Sequence, residues 1–454
     1  MSTSIDMAVQ EHFRTPEGFF DFELRGALSE KAGYFRFGSD TTCYGRRWVG
    51  APAESGGSEP YDALQDVQTN GAKFLVPFDP TEVTDNLRRE RYVEVRRNGS
   101  GGLFRKAYYF LRPALSVSLR KYAQRMSLRG WDRRSFPSWP VDRAVDRIFE
   151  RLMFLTLKAR GLEAVPFIWF WPEGKPGCAV MTHDVETASG LRFCGALMDL
   201  NDSFDVKSSF QIIPGGRYTP TEELRAAVRQ RGFEINVHDW NHDGSLFSDR
   251  EMFLKRAAKI NGVGALWKAD GFRSAVLYRN SEWYDTFTFS YDMSVPNVGH
   301  LDPQQGGCCT VMPYFIGRIL EIPVTTTQDY SLFHILNDYS LDLWKRQVGA
   351  ILEGNGLASF IVHPDYLRKE RALATYTKLL EFLCRLRAEQ DVWIARPQDV
   401  NRWWRERSQM KLVREGDDWQ IDGPGKEQAR VAYAQIQDGR LVYTTVAPRA
   451  TAMA

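Results

Sequence analysis

Between Cys178 and Ala395 the chain repeats one pattern, a short continuous apolar run followed by a longer stretch of mixed character. The runs are Cys178–Met181, Ser209–Ile213, Phe233–Val237, Gly271–Arg273, Phe287–Tyr291, Ile319–Ile322, Ser359–Val362 and Val392–Ala395. Several intervening stretches read as helices, such as Thr221–Gln230, opened by Thr-Pro-Thr-Glu-Glu, and Asp249–Lys259. Strands without polar alternation are buried on both faces, and their alternation with helices gives a largely parallel sheet, open or closed into a barrel. The expected class is therefore α/β. In such folds the functional groups lie just beyond the carboxyl ends of the strands. The residues that terminate each run are thus the first candidates for chemistry.

The flanks read differently. Residues 1–100 mix turn-rich pieces (Gly50–Gly57, Asn98–Gly102) with short apolar runs such as Phe74–Phe78, an α+β signature without a catalytic motif. The segment 105–134 carries nine Lys and Arg against one acid, Asp132, and Leu115, Leu119, Tyr122 and Met126 recur at helical spacing. A basic amphipathic helix is expected there. It is either a packed surface helix with a solvated basic face or one in peripheral contact with an anionic membrane. Pro137–Pro140 interrupts the chain, and Val141–Leu157 resumes helical periodicity. Past Trp403–Trp404, the runs Lys411–Val413, Asp418–Ile421, Val431–Ile436 and Arg440–Thr444 alternate around turn signals and read as a small β appendage. The expected domains are 1–135, an α+β region of unassigned function; 136–404, the α/β part; and 405–454, the appendage.

Composition excludes several classes. With 43% hydrophobic and 26% charged residues the chain is of ordinary globular type, and a net charge of +2 gives no argument for nucleic acid. Its six cysteines form no Cys-x-x-Cys pair and no disulfide framework, so inert buried thiols are expected. The first twenty residues contain acids and no uninterrupted apolar run, unlike a secretory signal. The richest apolar stretch, Ala164–Pro172, falls short of the roughly 18–20 residues that span a bilayer. A cytoplasmic protein is the expectation.

Three runs end in residues suited to catalysis. The first runs on through Thr182 into His183, Asp184, Val185 and Glu186, and on an extended backbone Asp184 and Glu186 project together. Two carboxylates there can divide the work of metal ligand and general base. The run Phe233–Val237 ends in His238-Asp239-Trp240-Asn241-His242. If that segment turns helical, the two histidines share a face and grip a divalent metal. With only seven histidines in the chain, such a pair just after a strand is a pointed signal. The run Ser359–Val362 delivers His363, held off a helical backbone by Pro364. A histidine suits the role of general acid near neutral pH.

In order, the pieces VMTHDVE, VHDWNHDG, GFRSAVLYRN, SYDMSV, EIPVTTTQDY and SFIVHPDY resemble the motifs of the polysaccharide deacetylase (NodB-homology) family, from about Phe170 to Trp404. The resemblance implies a distorted (β/α) barrel and a divalent metal, often zinc, that serves hydrolysis of the acetamide of N-acetylhexosamine units. It implies His238 and His242 as metal ligands, His363 as general acid and Arg273 as the residue that orients the base. Asp329 matches the acid that supports this arginine, with Asp292 as a second candidate. The family's usual first motif has adjacent aspartates, whereas here Val185 separates Asp184 from Glu186. The match is to an Asp-x-Asp variant ending in Glu, which makes Asp184 the base and Glu186 the third metal ligand. The third motif also departs, since Ser274-Ala275-Val276 replaces its usual proline and glycine. The implied substrate is an acetylated sugar or glycan precursor.

Two other readings stay beside this one: a glycan-binding or scaffolding protein that keeps the fold without catalysis, and a hydrolase of a non-sugar amide. A zinc metalloprotease fits poorly, because that chemistry needs Glu directly after the first histidine on a helix, and Asp239 stands there.

Overall fold

The structure, a computed structural model, describes residues 5–52, 60–71, 73–93, 126, 128, 130–416 and 418–445. Most of the basic segment 105–134, with the helix face expected at Leu115, Leu119 and Tyr122, lies outside the described residues. The chain packs as two compact units, one from 1–92, 143–175 and 402–454, the other from 93–142 and 176–401.

The first unit opens with α1 (Met7–Phe13) and the short strands β1 (Phe22–Leu24), β2 (Gly33–Arg36), β3 (Thr42–Gly45), β4 (Gln68–Asn70) and β5 (Lys73–Val76). β5 lies between β1, parallel to it, and β4, antiparallel, while β2 and β3 form a hairpin. α2 (Pro80–Arg88) starts at Asp79, whose carboxylate accepts from the N–H groups of Thr81 and Glu82, with Pro80 at the first helical position. α3 (Ala144–Arg160) realises the helix expected from Val141 and stops at Gly161 in the left-handed conformation. β6 (Ala164–Ile168) follows, the apolar run that is too short for a bilayer.

The second unit carries the repeating pattern. Its strands are β7 (Cys178–Val185), β8 (Ser209–Ile212), β9 (Glu234–His238), β10 (Gly271–Arg273), β11 (Tyr291–Asp292), β12 (Tyr314–Ile316), β13 (Ile319–Glu321), β14 (Leu357–Ile361) and β15 (Trp393–Ala395). They form one sheet in the order β12-β13-β11-β10-β9-β8-β7-β14, with β15 also on β7, and every pairing except β12 with β13 is parallel. All eight residues of β7 are buried, as a strand with neighbours on both edges and cover on both faces requires. Val324–Thr326 then spans the gap in the curl. The Val324 N–H donates to Val295 and the Thr326 N–H to Ser359 on β14, which gives a distorted, incompletely closed barrel.

Helices α4 (Ala188–Ser203), α5 (Glu222–Gln230), α6 (Arg250–Trp267), α7 (Asp342–Leu352), α8 (Pro364–Leu367) and α9 (Glu370–Gln390) follow or connect these strands. Thr221 caps α5 and Asp249 caps α6, as the sequence indicates, but α6 runs on to Trp267, well past Lys259. The run Phe287–Tyr291 is strand only at its end. Phe287 and Phe289 serve instead as core side chains against Phe272, with ring centroids 4.6 and 5.5 Å away. Among the described residues no helix is long and apolar enough to cross a membrane, and all six cysteines are free, five of them buried.

The first unit is completed by β16 (Lys411–Glu415), β17 (Asp418–Asp422), β18 (Val431–Gln437) and β19 (Arg440–Thr444). β16 and β17 form a hairpin, as do β18 and β19, and β18 also pairs antiparallel with β6. Phe13, Phe167 and Tyr443, from three distant stretches of chain, form an aromatic core with centroids 5.2–6.1 Å apart.

Candidate active site

Apart from Asp329, which lies in the connection after β13, the candidate residues stand at or just past the carboxyl ends of barrel strands. Asp184 is the penultimate residue of β7, Glu186 follows the strand's end at Val185, His238 closes β9, and Arg273 closes β10. His242 arrives from the turn after β9, and His363 two residues after β14.

Glu186, His238 and His242 form a cluster whose ligand atoms all lie within 4.8 Å of one another. The His238 Nδ1–H donates to the Arg273 carbonyl at 3.1 Å, which fixes the tautomer and leaves Nε2 as a lone pair. That Nε2 is buried and makes no hydrogen bond. Burial lowers His238 to a pKa of about 4, against the pull of Asp184, so the ring is neutral at pH 7. The Nε2 of His242 lies 3.0 Å from Glu186 Oε1. Burial pushes the Glu186 carboxyl up, but the charge and hydrogen bond of His242 hold it well below the usual range. Two imidazoles and an ionised carboxylate, one imidazole with an orphaned buried nitrogen, are a donor set that fits a divalent ion.

The segment between the histidines is not helical, contrary to the expectation. Asp239 and His242 both take left-handed backbone angles, φ 54° and 57°, and the tight turn they make returns His242 to His238 with ring centroids 4.8 Å apart. Asp239 is not one of the clustered ligands: its carboxylate accepts from the N–H groups of Trp240 and, at 3.2 Å, of Ala275. It therefore ties this turn to the segment after Arg273, where Val276 and Leu277 also sit at positive φ, 60° and 54°. A β-branched residue in that region is strained, and such strain persists where the surroundings hold it.

Opposite the cluster stand two ion pairs. Arg273 is fully buried and donates through Nη1 to Asp184 Oδ1 and Thr182 Oγ1, both at 2.7 Å, and through Nε to the Met293 carbonyl at 2.9 Å. Burial raises the Asp184 carboxyl, yet the Arg273 guanidinium and then His238 bring it below the ordinary value. Asp184 Oδ2 faces His238 Nε2 at 3.8 Å.

Asp329 is not on Arg273, where the resemblance put it. Its carboxylate takes the His363 ring at Nδ1, 2.6 Å, and the His363 main-chain N–H at 2.8 Å. Burial alone would lower His363, but Asp329, with Glu186 and Asp184 behind it, raises it to about 10. The ring is therefore an imidazolium whose Nε2–H points toward Glu186 Oε1, 3.7 Å away.

Asp292, the second candidate for the arginine's partner, lies within the field of Arg273 and is cross-strand neighbour to Glu321. Burial and then Asp292 raise Glu321 well above the usual range, so the two carboxyls share a proton beneath the site. Sequence reasoning missed Glu321, which sits in the apolar run Ile319–Ile322 as its one charged member. It also passed over Asp365, whose carboxylate accepts from the Glu186 N–H at 3.0 Å, although the motif SFIVHPDY contains it.

No family model and no curated protein sequence matches the chain. Solved structures similar to it include a protein assigned as a polysaccharide deacetylase from Mycobacterium smegmatis, 19% identical, TM-score 0.42, over 52% of this chain and 93% of that one. PuuE allantoinase is 13% identical, TM-score 0.41, over 52% and 92%. A protein assigned as a polysaccharide deacetylase in O-antigen biosynthesis from Bordetella bronchiseptica is 19% identical, TM-score 0.31, over 51% and 86%.

Proposed function

We propose that the chain hydrolyses the acetamide of an N-acetylated sugar or glycan precursor with the help of a divalent ion. Glu186, His238 and His242 would hold the ion, and one carboxylate with two imidazoles suits zinc. An ion so held supplies Lewis-acid polarisation of the acyl carbonyl and makes a nearby water more acidic.

The observation that supports this reading best is the split in charge state across the site. Asp184 is held ionised by Arg273, and His363 is held protonated by Asp329, so a base and an acid stand ready at the same pH. Asp184 accepts the proton of the attacking water at Oδ2, the oxygen Arg273 leaves open. His363 gives its Nε2 proton to the sugar nitrogen as the C–N bond breaks, which yields acetate and a free amine. A protein that only binds glycan has no use for this division of protons.

The test is acetate release from N-acetylglucosamine oligomers and from a nucleotide-linked N-acetyl sugar, with a small cyclic amide alongside and zinc, cobalt or manganese added. Metal-dependent acetate release from a sugar, lost in Asp184→Asn, is the expected result. Opening of the cyclic amide alone would move the reading to a non-sugar amide. No turnover of any of them by metal-loaded protein would leave the binding role.

A further inference from the structure

We propose that Arg217 and Asp365 are positioning residues that clasp the main chain of Glu186 from both sides and so set the geometry of the metal site. The inference rests on the reading of Glu186, His238 and His242 as metal ligands.

Glu186 is the only one of the three that is neither in a strand nor in a tight turn, so its direction needs another source. Its N–H donates to Asp365 Oδ2 at 3.0 Å, and its carbonyl receives Arg217 Nη1 at 3.4 Å. With the peptide groups on either side held, the Cα–Cβ vector of Glu186 is fixed before any ion arrives. Arg217 also donates through Nη2 to the His242 carbonyl at 2.9 Å and through Nε to that of Asn241 at 3.3 Å. One planar guanidinium thus spans the two chain segments that deliver two of the ligands, a fork geometry that an ammonium cannot reproduce. The His242 carbonyl it holds belongs to a residue at φ 57°, a conformation that needs outside support.

Asp365 is built into its place. Its other oxygen accepts from the Thr187 hydroxyl, and Thr187 caps α4 through the N–H groups of Ser189 and Gly190. A Cβ at Gly190 would lie 2.4 Å from Asp365 Oδ2, so the first turn of α4 is bare where the carboxylate rests against it. Asp365 also lies two residues past His363, so one short segment carries both the acid and the support for a ligand. Outer residues of this kind are worth roughly 10- to 100-fold in metal affinity.

The experiment is a zinc titration of the metal-free full chain against a chelating dye, beside urea unfolding of the same metal-free proteins. The variants are Arg217→Ala, Arg217→Lys, Asp365→Ala and Asp365→Asn. Arg217 is exposed, so its substitutions do not threaten the fold. Arg217→Ala and Asp365→Ala are expected to weaken zinc binding about 10- to 100-fold. Arg217→Lys should rescue little of this, and Asp365→Asn, which keeps an acceptor for the Glu186 N–H, most of it. The unfolding midpoint of metal-free Arg217→Ala should match wild type. Wild-type affinity in Arg217→Ala and Asp365→Ala would overturn the clasp and leave the metal reading standing. Affinity that falls only in step with the unfolding midpoint would overturn it too. A wild type that takes up no divalent ion would overturn both.

Discussion

Glu234 and Asp184 are both buried carboxyls in the same barrel, toward opposite ends of two strands that β8 separates, and they are in opposite charge states. Glu234 opens β9 and accepts from the Asn236 side chain at 2.8 Å and the Gln398 N–H at 3.1 Å. The Arg396 guanidinium pairs with Asp399 and only partly offsets burial, which pushes Glu234 up to about 8 and keeps it neutral at pH 7. Asp184, next to last in β7, lies against the Arg273 guanidinium and stays ionised. Burial by itself neutralises an acid. It takes a cation committed to that acid to keep the charge, and the barrel makes that commitment at its carboxyl end.

The largest way to break the comparison is at that end. Asp184→Asn and His363→Ala should each slow the proposed reaction by roughly 10²–10⁴-fold while the protein stays folded. Steady-state acetate release with metal present measures it, and unchanged turnover in both variants would remove their roles.

The amino end is tested by stability. Glu234 keeps its proton in the folded protein up to about pH 8 but loses it near 4.5 when unfolded. Its contribution is therefore fully present below about pH 4.5, declines as pH rises, and is gone above about pH 8. Across that window the decline amounts to at most about 5 kcal/mol. Urea unfolding from pH 4.5 to 8 should show a flatter curve in Glu234→Gln than in wild type. Identical slopes would show that Glu234 is ionised in the fold.

The smallest effect serves as a control. Asp249 caps α6 by accepting from the Met252 N–H at 2.9 Å and touches none of the candidate residues. Asp249→Ala should cost about 1 kcal/mol of stability and leave turnover unchanged. A loss of turnover would mean that general loosening, and not local charge, governs the site.

What the sequence made legible follows from physics that is local. Buried parallel strands are continuous apolar runs, so the strands ending near Asp184, His238, Arg273 and His363 could be placed, and their ends are where such a fold keeps its chemistry. Pairing across distance was not legible. Asp329 meets His363 across 34 residues, and no periodicity distinguishes it from a partner of Arg273. β6 meets β18 from the far side of the whole barrel segment, which a local reading takes for an unrelated run and an appendage. The turn at Asp239–His242 misled for a different reason: i,i+4 spacing suggests a helix, but left-handed angles bring the same two rings together. His183 shows the converse. It too is a buried strand histidine with Nδ1 on a carbonyl, that of Val362, yet Asn201 occupies its Nε2. Only the structure separates this satisfied core histidine from His238.

The most direct test of the account is the metal content of purified protein, measured beside a His238→Ala/His242→Ala double variant by inductively coupled plasma mass spectrometry. About one divalent ion per chain, lost in the double variant while the fold is kept, is the predicted result. A folded wild type that carries no divalent ion and takes up none when it is added would contradict it.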